Sequence, residues 1–118
     1  MEWIFQNDLP IYSQLVEQIK LAIVSGTFKP GERMNSVRDM AMEAGVNPNT
    51  LQRALQELER QGLVYSQRTS GRFVTEDIQT IESCKRALAR AQLTGFCEKM
   101  KQLGYERAEI IALLEEEA

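Results

Sequence analysis

Ile11, Leu15, Ile19, Ala22 and Ile23 recur at helical spacing, and Gly26 closes the stretch they define. Pro10 fits the first turn of such a helix at no hydrogen-bond cost. The pattern predicts a first helix over about residues 10–25. Residues 1–9, with Trp3, Ile4 and Phe5, form a lead-in that lies on the domain or makes a short edge strand. Lys29-Pro30-Gly31 is a turn. Ser36 can cap a second, short helix, with Asp39 in a position like that of a capping box. Val37, Met40, Ala41 and Ala44 give that helix its buried side, and Gly45 ends it. Asn47-Pro48 then supplies a capping amide and a proline for the first position of a third helix. Leu51, Ala54, Leu55 and Leu58 make its apolar stripe, and Gly62 stops it.

The period then changes. Leu63-Val64-Tyr65 and Arg72-Phe73-Val74 are short β-prone runs around Ser66-Gln67-Arg68-Thr69-Ser70-Gly71, which predicts a hairpin. After Glu76-Asp77 the chain is helical to its end, with a break near Gly104-Tyr105. Residues 78–118 number 41, too few for an independent ligand-binding domain. Their apolar residues change face. Ile81, Cys84, Leu88 and Ala91 share one side, whereas Leu93, Phe96, Cys97, Met100 and Leu103 share another, rotated by more than a quarter turn. Either a kink at Gly95 or packing against two different neighbours explains the switch. Ile110, Ile111, Leu113 and Leu114 also need cover, and a two-fold partner would supply it.

Composition removes several kinds of chemistry. The 118 residues contain no histidine, so there is no Ser-His or Cys-His nucleophile pair and no histidine metal site. Two cysteines are too few for a disulfide scaffold or a four-cysteine zinc site. Cys84 and Cys97 lie 13 residues apart, roughly 20 Å on one helix, beyond disulfide reach. No apolar run approaches the length of a membrane span, and Met1-Glu2-Trp3-Ile4-Phe5 lacks the basic start of a signal peptide. These features predict a cytoplasmic protein with reduced thiols. Gly26-Thr27-Phe28-Lys29-Pro30-Gly31 has the glycine spacing of a phosphate-binding loop, but Glu32 and Arg33 replace the lysine and the hydroxyl residue that such a loop requires. Glu115-Glu116-Glu117 points in several directions on a helix and reads as solvated acid. No cofactor, metal site or enzymatic activity is expected.

Ala41, Gly45, Val46 and Leu51 have the spacing of a helix-turn-helix: a small residue for close approach, a glycine at the turn, and apolar residues that lock two helices together. Followed by the hairpin, the order is that of a winged helix-turn-helix. The third helix turns Asn49, Arg53, Gln56 and Arg60 away from its core stripe, with Thr50 and Gln52 beside them near its start. No residue on that stripe is acidic. Amides and arginines at the start of a recognition helix can bond base edges in the major groove. The whole chain has a net charge of −3, yet Arg33 to Arg72 carries six arginines and four acids, a net of +2, leaving −5 elsewhere. Arg68 and Arg72 fall at the tip of the hairpin, where a wing can touch the minor groove or backbone.

Pro10-Ile11-Tyr12-Ser13-Gln14-Leu15, Lys29-Pro30-Gly31-Glu32-Arg33, Ser36-Val37-Arg38, Gly45-Val46-Asn47-Pro48-Asn49-Thr50 and Gly62-Leu63-Val64 together resemble the GntR family of bacterial transcription regulators. Asn47-Pro48-Asn49-Thr50, the short helical tail and its Leu103-Gly104-Tyr105 look like the YtrA subfamily. Met34-Asn35 stands where the family often has Leu-Pro. The resemblance implies a dimeric repressor of sequence-specific binding, with Arg38 meeting the operator from the second helix, Asn49, Thr50 and Gln52 from the third, and Gly71 shaping the wing tip.

The expected architecture is mainly α: a winged helix-turn-helix DNA-binding domain over residues 1–77 and a two-helix dimerisation segment over 78–118. Double-stranded operator DNA is read by Arg38, Asn49, Thr50, Gln52, Arg53, Gln56, Arg68, Gly71 and Arg72. A homodimer forms through Leu88, Leu93, Phe96, Met100, Leu103, Ile110, Ile111 and Leu114, so the operator is an inverted repeat. An unknown small-molecule effector could bind between the tail helices, though no residue pattern marks a pocket. The alternative is a winged helix used for protein–protein contact without DNA, which the acidic total permits.

Overall fold

The computed structural model describes residues 1–117. In chain order the elements are α1 (Ile11–Val24), α2 (Val37–Ala44), α3 (Pro48–Arg60), β1 (Val64–Gln67), β2 (Gly71–Val74), α4 (Ile78–Gln102) and α5 (Arg107–Glu117). The protein is mainly helical, with a small winged sheet. Two compact units divide it, Met1–Lys85 and the residues from Arg86 onward. The helix α4 therefore begins in one unit and continues in the other.

The first unit is built on the stripes described above. Leu15, Ile19 and Ile23 of α1 are buried together with Leu51, Leu55 and Leu58 of α3, and Leu63 and Val74 of the hairpin join them. Fully burying one such side chain contributes roughly 1.5–3 kcal/mol, so these stripes are the main source of stability. The predicted caps are present. The Ser36 hydroxyl accepts from the Asp39 amide at 3.1 Å, and Asn47 Oδ1 accepts from the Asn49 amide at 2.8 Å. Pro10 stands just outside α1, in an extended conformation, and not within its first turn. At the start of α4, Asp77 accepts from the Gln79 amide at 3.0 Å and the Thr80 hydroxyl at 2.8 Å. Those bonds, the Thr80 hydroxyl first, hold its carboxyl below the ordinary value.

β1 and β2 pair antiparallel, with Val64 opposite Val74 and Ser66 opposite Arg72. A third stretch lies along the far edge of β2. The Met34 amide donates to Arg72 O at 2.8 Å, the Val74 amide to Glu32 O at 2.9 Å, and the Gly31 amide to Val74 O at 3.0 Å. The lead-in is not a strand. Trp3 and Phe5 stack with ring centroids 6.2 Å apart and pack on the core. Two glutamines of α1 take the place of a paired strand. Gln18 accepts from the Ile4 amide at 3.1 Å and donates to Ile4 O at 2.6 Å. Gln14 does the same for Gln6, at 2.7 and 2.9 Å.

In the second unit the helical backbone runs unbroken through Thr94 and Gly95. Gly104, at φ +98°, ends the helix. Leu103 stands one residue past the end of α4, its amide still donating to Lys99 O at 3.3 Å, and its side chain is exposed. One of the expected dimer residues, Ile110, is placed differently from the sequence reading. Ile110 is only 5% exposed within one chain, so its side chain is already covered. Leu93, Phe96, Ile111 and Leu114 are exposed, and Leu88 and Met100 are half-buried. Among the described residues no helix is long and apolar enough to cross a membrane.

Candidate nucleic-acid interface

The turn between α2 and α3 follows from two small residues. Gly45 adopts φ +71°, a left-handed conformation that L side chains resist. Its neighbour Val46 donates its amide to Ala41 O at 3.0 Å, which closes the turn against α2. Ala41 is buried there, with no side chain beyond Cβ to hold the helices apart. Apolar Leu51 and Leu55 then fix α3 by its inner face, leaving the outer face set by register alone.

On that outer face Asn49, Arg53 and Gln56 are exposed, and Thr50 and Gln52 are half-buried. Arg53 lies over the Tyr12 ring, 4.9 Å from its centroid, so α1 steadies the guanidinium without cancelling its charge. Arg38 is exposed in the first turn of α2. Arg38 and Arg68 have no ion-pair partner among the described residues. The arrangement presents amides, a hydroxyl and arginines, all able to bond base edges or phosphates.

The far end of α3 is different. Glu57 accepts from Arg60 Nε at 2.9 Å and from the Gln61 amide group at 2.6 Å. The Arg60 bond, foremost, lowers its pKa to about 2. Glu59 reaches the wing, accepting from Arg72 Nε at 2.6 Å and from the Ser66 hydroxyl. Burial pushes the Glu59 carboxyl up, but the bonds from Ser66 and Arg72 outweigh it and hold the carboxyl below the ordinary value. Glu43 lies 3.9 Å from the N-terminal ammonium. Three of the four acids in the reading segment thus face cations within the protein.

This pairing corrects the placement of Arg72. It is not at the hairpin tip. It stands in β2 opposite Ser66, its side chain is 15% exposed, and its guanidinium ties the wing to α3. Arg60, on the expected outward stripe, is likewise held by Glu57. The tip consists of Arg68, Thr69 and Ser70, all exposed, followed by Gly71 at φ +106°. Sequence reasoning passed over Arg33, whose Nε donates to Ser70 O at 2.9 Å. No local pattern announces that contact, because the two residues are 37 positions apart.

Residues 11–74 match the family described as bacterial regulatory proteins, gntR family. The chain is 40% identical over 107 residues to the HTH-type transcriptional regulator YhcF of Bacillus subtilis, covering 91% of this chain and 88% of that protein. It is 35% identical to the HTH-type transcriptional repressor YtrA of the same organism, covering 83% of this chain and 71% of that one. Among solved structures, a GntR family transcriptional regulator from Listeria monocytogenes superposes with a TM-score of 0.89 at 38% identity, over 95% of this chain and 98% of the other. AraR(DBD), solved in complex with operator ORX1, superposes with a TM-score of 0.58 at 31% identity, over 64% of this chain and 96% of the other.

Proposed function

The chain belongs to the GntR family of bacterial regulatory proteins, transcription regulators and not enzymes, and from that premise we propose that it is a cytoplasmic repressor that binds an inverted-repeat operator as a homodimer. Residues 1–77 read the DNA and residues 78–118 join two chains. Arg38, Asn49, Thr50, Gln52, Arg53 and Gln56 meet bases and phosphates in the major groove. Arg68 meets a phosphate from the wing, and Gly71 gives the wing tip its shape.

One observation carries this reading. The first two turns of α3 offer an outward surface without a carboxylate, while the helix's two acids are held by Arg60 and Arg72 at its other end. A merely solvated helix has no reason to separate its charges in this way. The exposed Leu93, Phe96, Ile111 and Leu114 support the dimer, since such residues gather where a second surface covers them. The repressor named YtrA and the operator complex of AraR(DBD) support the direction of regulation and the DNA partner.

A gel-shift series over salt concentration, using a duplex from the chain's own promoter, tests the DNA reading. The affinity falls steeply with salt, because each neutralised phosphate releases counterions. A flat response would point to protein–protein contact. Sedimentation tests the assembly: a purely monomeric chain at micromolar concentration would remove the dimer.

A further inference from the structure

Within the reading proposed above, we infer that Arg33, and not Arg72, is the second arginine of the wing, and that it binds a DNA phosphate. The stretch Glu32–Met34 lies along the outer edge of β2, held by Met34 N to Arg72 O at 2.8 Å and Val74 N to Glu32 O at 2.9 Å. This places Arg33 level with Phe73, from where its side chain reaches the wing turn. Its Nε donates to Ser70 O at 2.9 Å. The guanidinium then lies against Gly71. A Cβ built on that glycine would stand 3.2 Å from Arg33 Nε and 3.5 Å from Nη2. The φ of +106° favours glycine here, and a side chain at this position would also press on the Arg33 guanidinium.

Charge separates the two candidates. Arg72 gives its guanidinium to Glu59. Arg33 is exposed, has no carboxylate within ion-pair distance among the described residues, and spends one N–H on a neutral carbonyl. Its remaining donors and its full charge stay available. The adjacent acid does not compete, since Glu32 Oε1 accepts from the Lys29 amide at 2.9 Å, within the preceding turn. A planar guanidinium pinned through Nε, with both terminal nitrogens open, suits a phosphate oxygen pair. Arg33 and Arg68 would together flank the tip, one held by the wing backbone and one exposed without an ion-pair partner among the described residues.

The test is fluorescence anisotropy with two labelled duplexes, one of random sequence and one from the chain's own promoter, over a range of KCl. Arg33→Ala should weaken both about fivefold and make the log–log salt slope shallower by about 0.9. Arg33→Lys keeps the charge and should keep the slope, and Arg33→Gln should behave as the alanine variant does. If Arg33→Ala and Arg33→Gln bind with the wild-type slope, even at lower affinity, Arg33 only shapes the wing and the inference fails. A loss confined to the promoter duplex would make Arg33 a base reader and also overturn it. If the wild-type slope is itself flat, the DNA reading falls first, and that result is distinguishable from the other two.

Discussion

From Leu15 to Ile81 the apolar stripes of α1 and α3 are covered by their own chain: Leu15, Ile19, Leu51 and Leu58 are 0% exposed, although Leu21, Met42 and Ile78 off those stripes are exposed. From Arg86 onward the same residue types recur at the same spacing, yet Leu93 is 58% exposed, Leu114 50% and Ile111 44%, and Ile110 is the single buried hydrophobic residue among those described. The contrast shows that periodicity states which side of a helix is apolar and leaves open whose surface covers it. A three-helix arrangement closed by a hairpin has enough inward faces to satisfy itself. A pair of helices has not, and Leu93, Ile111 and Leu114 are left exposed, which is the surface that the proposed dimer would cover.

Substitutions in the two units should therefore fail in different ways. Leu55→Ala, in the closed unit, removes a side chain that is 1% exposed and should cost about 2–5 kcal/mol in urea unfolding. A cost below 1 kcal/mol would mean that this core is looser than its packing. Phe96→Ser combined with Ile111→Ser, in the open unit, should leave the first unit folded but yield monomers in sedimentation. Operator affinity should drop roughly 100-fold as the second recognition helix loses its tether. A double variant that still sediments as a dimer would show that another surface joins the chains.

Arg38→Ala sharpens the comparison from the polar side of the closed unit. The side chain is exposed and has no ion-pair partner among the described residues, so unfolding should scarcely change. Promoter affinity should fall by about 1–3 kcal/mol, with discrimination relaxed at the bases it meets. Equal binding and equal sequence preference would remove Arg38 from the interface.

The first three helices were legible because each has an apolar stripe and a terminating glycine, to which α2 and α3 add a capping side chain, Ser36 and Asn47. The helix-turn-helix and the tail break at Gly104 were legible for the same reason. The edge pairing of Glu32 to Met34 was not, since so short a backbone pairing imposes no alternation of side chains. Nor were the Gln14 and Gln18 bonds to the lead-in, because glutamine on an outer helical face looks solvated. The charge count failed most instructively. It gave a correct sum of +2 over Arg33 to Arg72, but a sum does not say that Glu57 and Glu59 hold Arg60 and Arg72. The outward charge at the start of α3 and at the wing tip rests on Arg38, Arg53, Arg68 and Arg33 instead. The net charge of −3 is thus compatible with DNA binding, because several acids are engaged where they cannot repel a phosphate.

The Glu59–Arg72 pair supplies the smallest test. The folded-state carboxyl sits below the ordinary 4.5, so its contribution is complete above that value and is lost as pH falls through the lower folded value. Glu59→Gln keeps an acceptor but not the charge. At neutral pH it should cost about 1 kcal/mol, a partly exposed ion pair being worth less than a buried one. The gap between wild type and variant should then narrow as pH drops below 4.5. Glu57→Gln is the control, because Glu57 titrates low as well but bonds only Arg60 and Gln61, at its own end of α3. Both variants should narrow the gap with acid, yet only Glu59→Gln should shift the amide resonances of Ser66 and Arg72. A gap for Glu59→Gln that stays constant past pH 4.5 would mean that the wing is tied to α3 by packing and not by this charge.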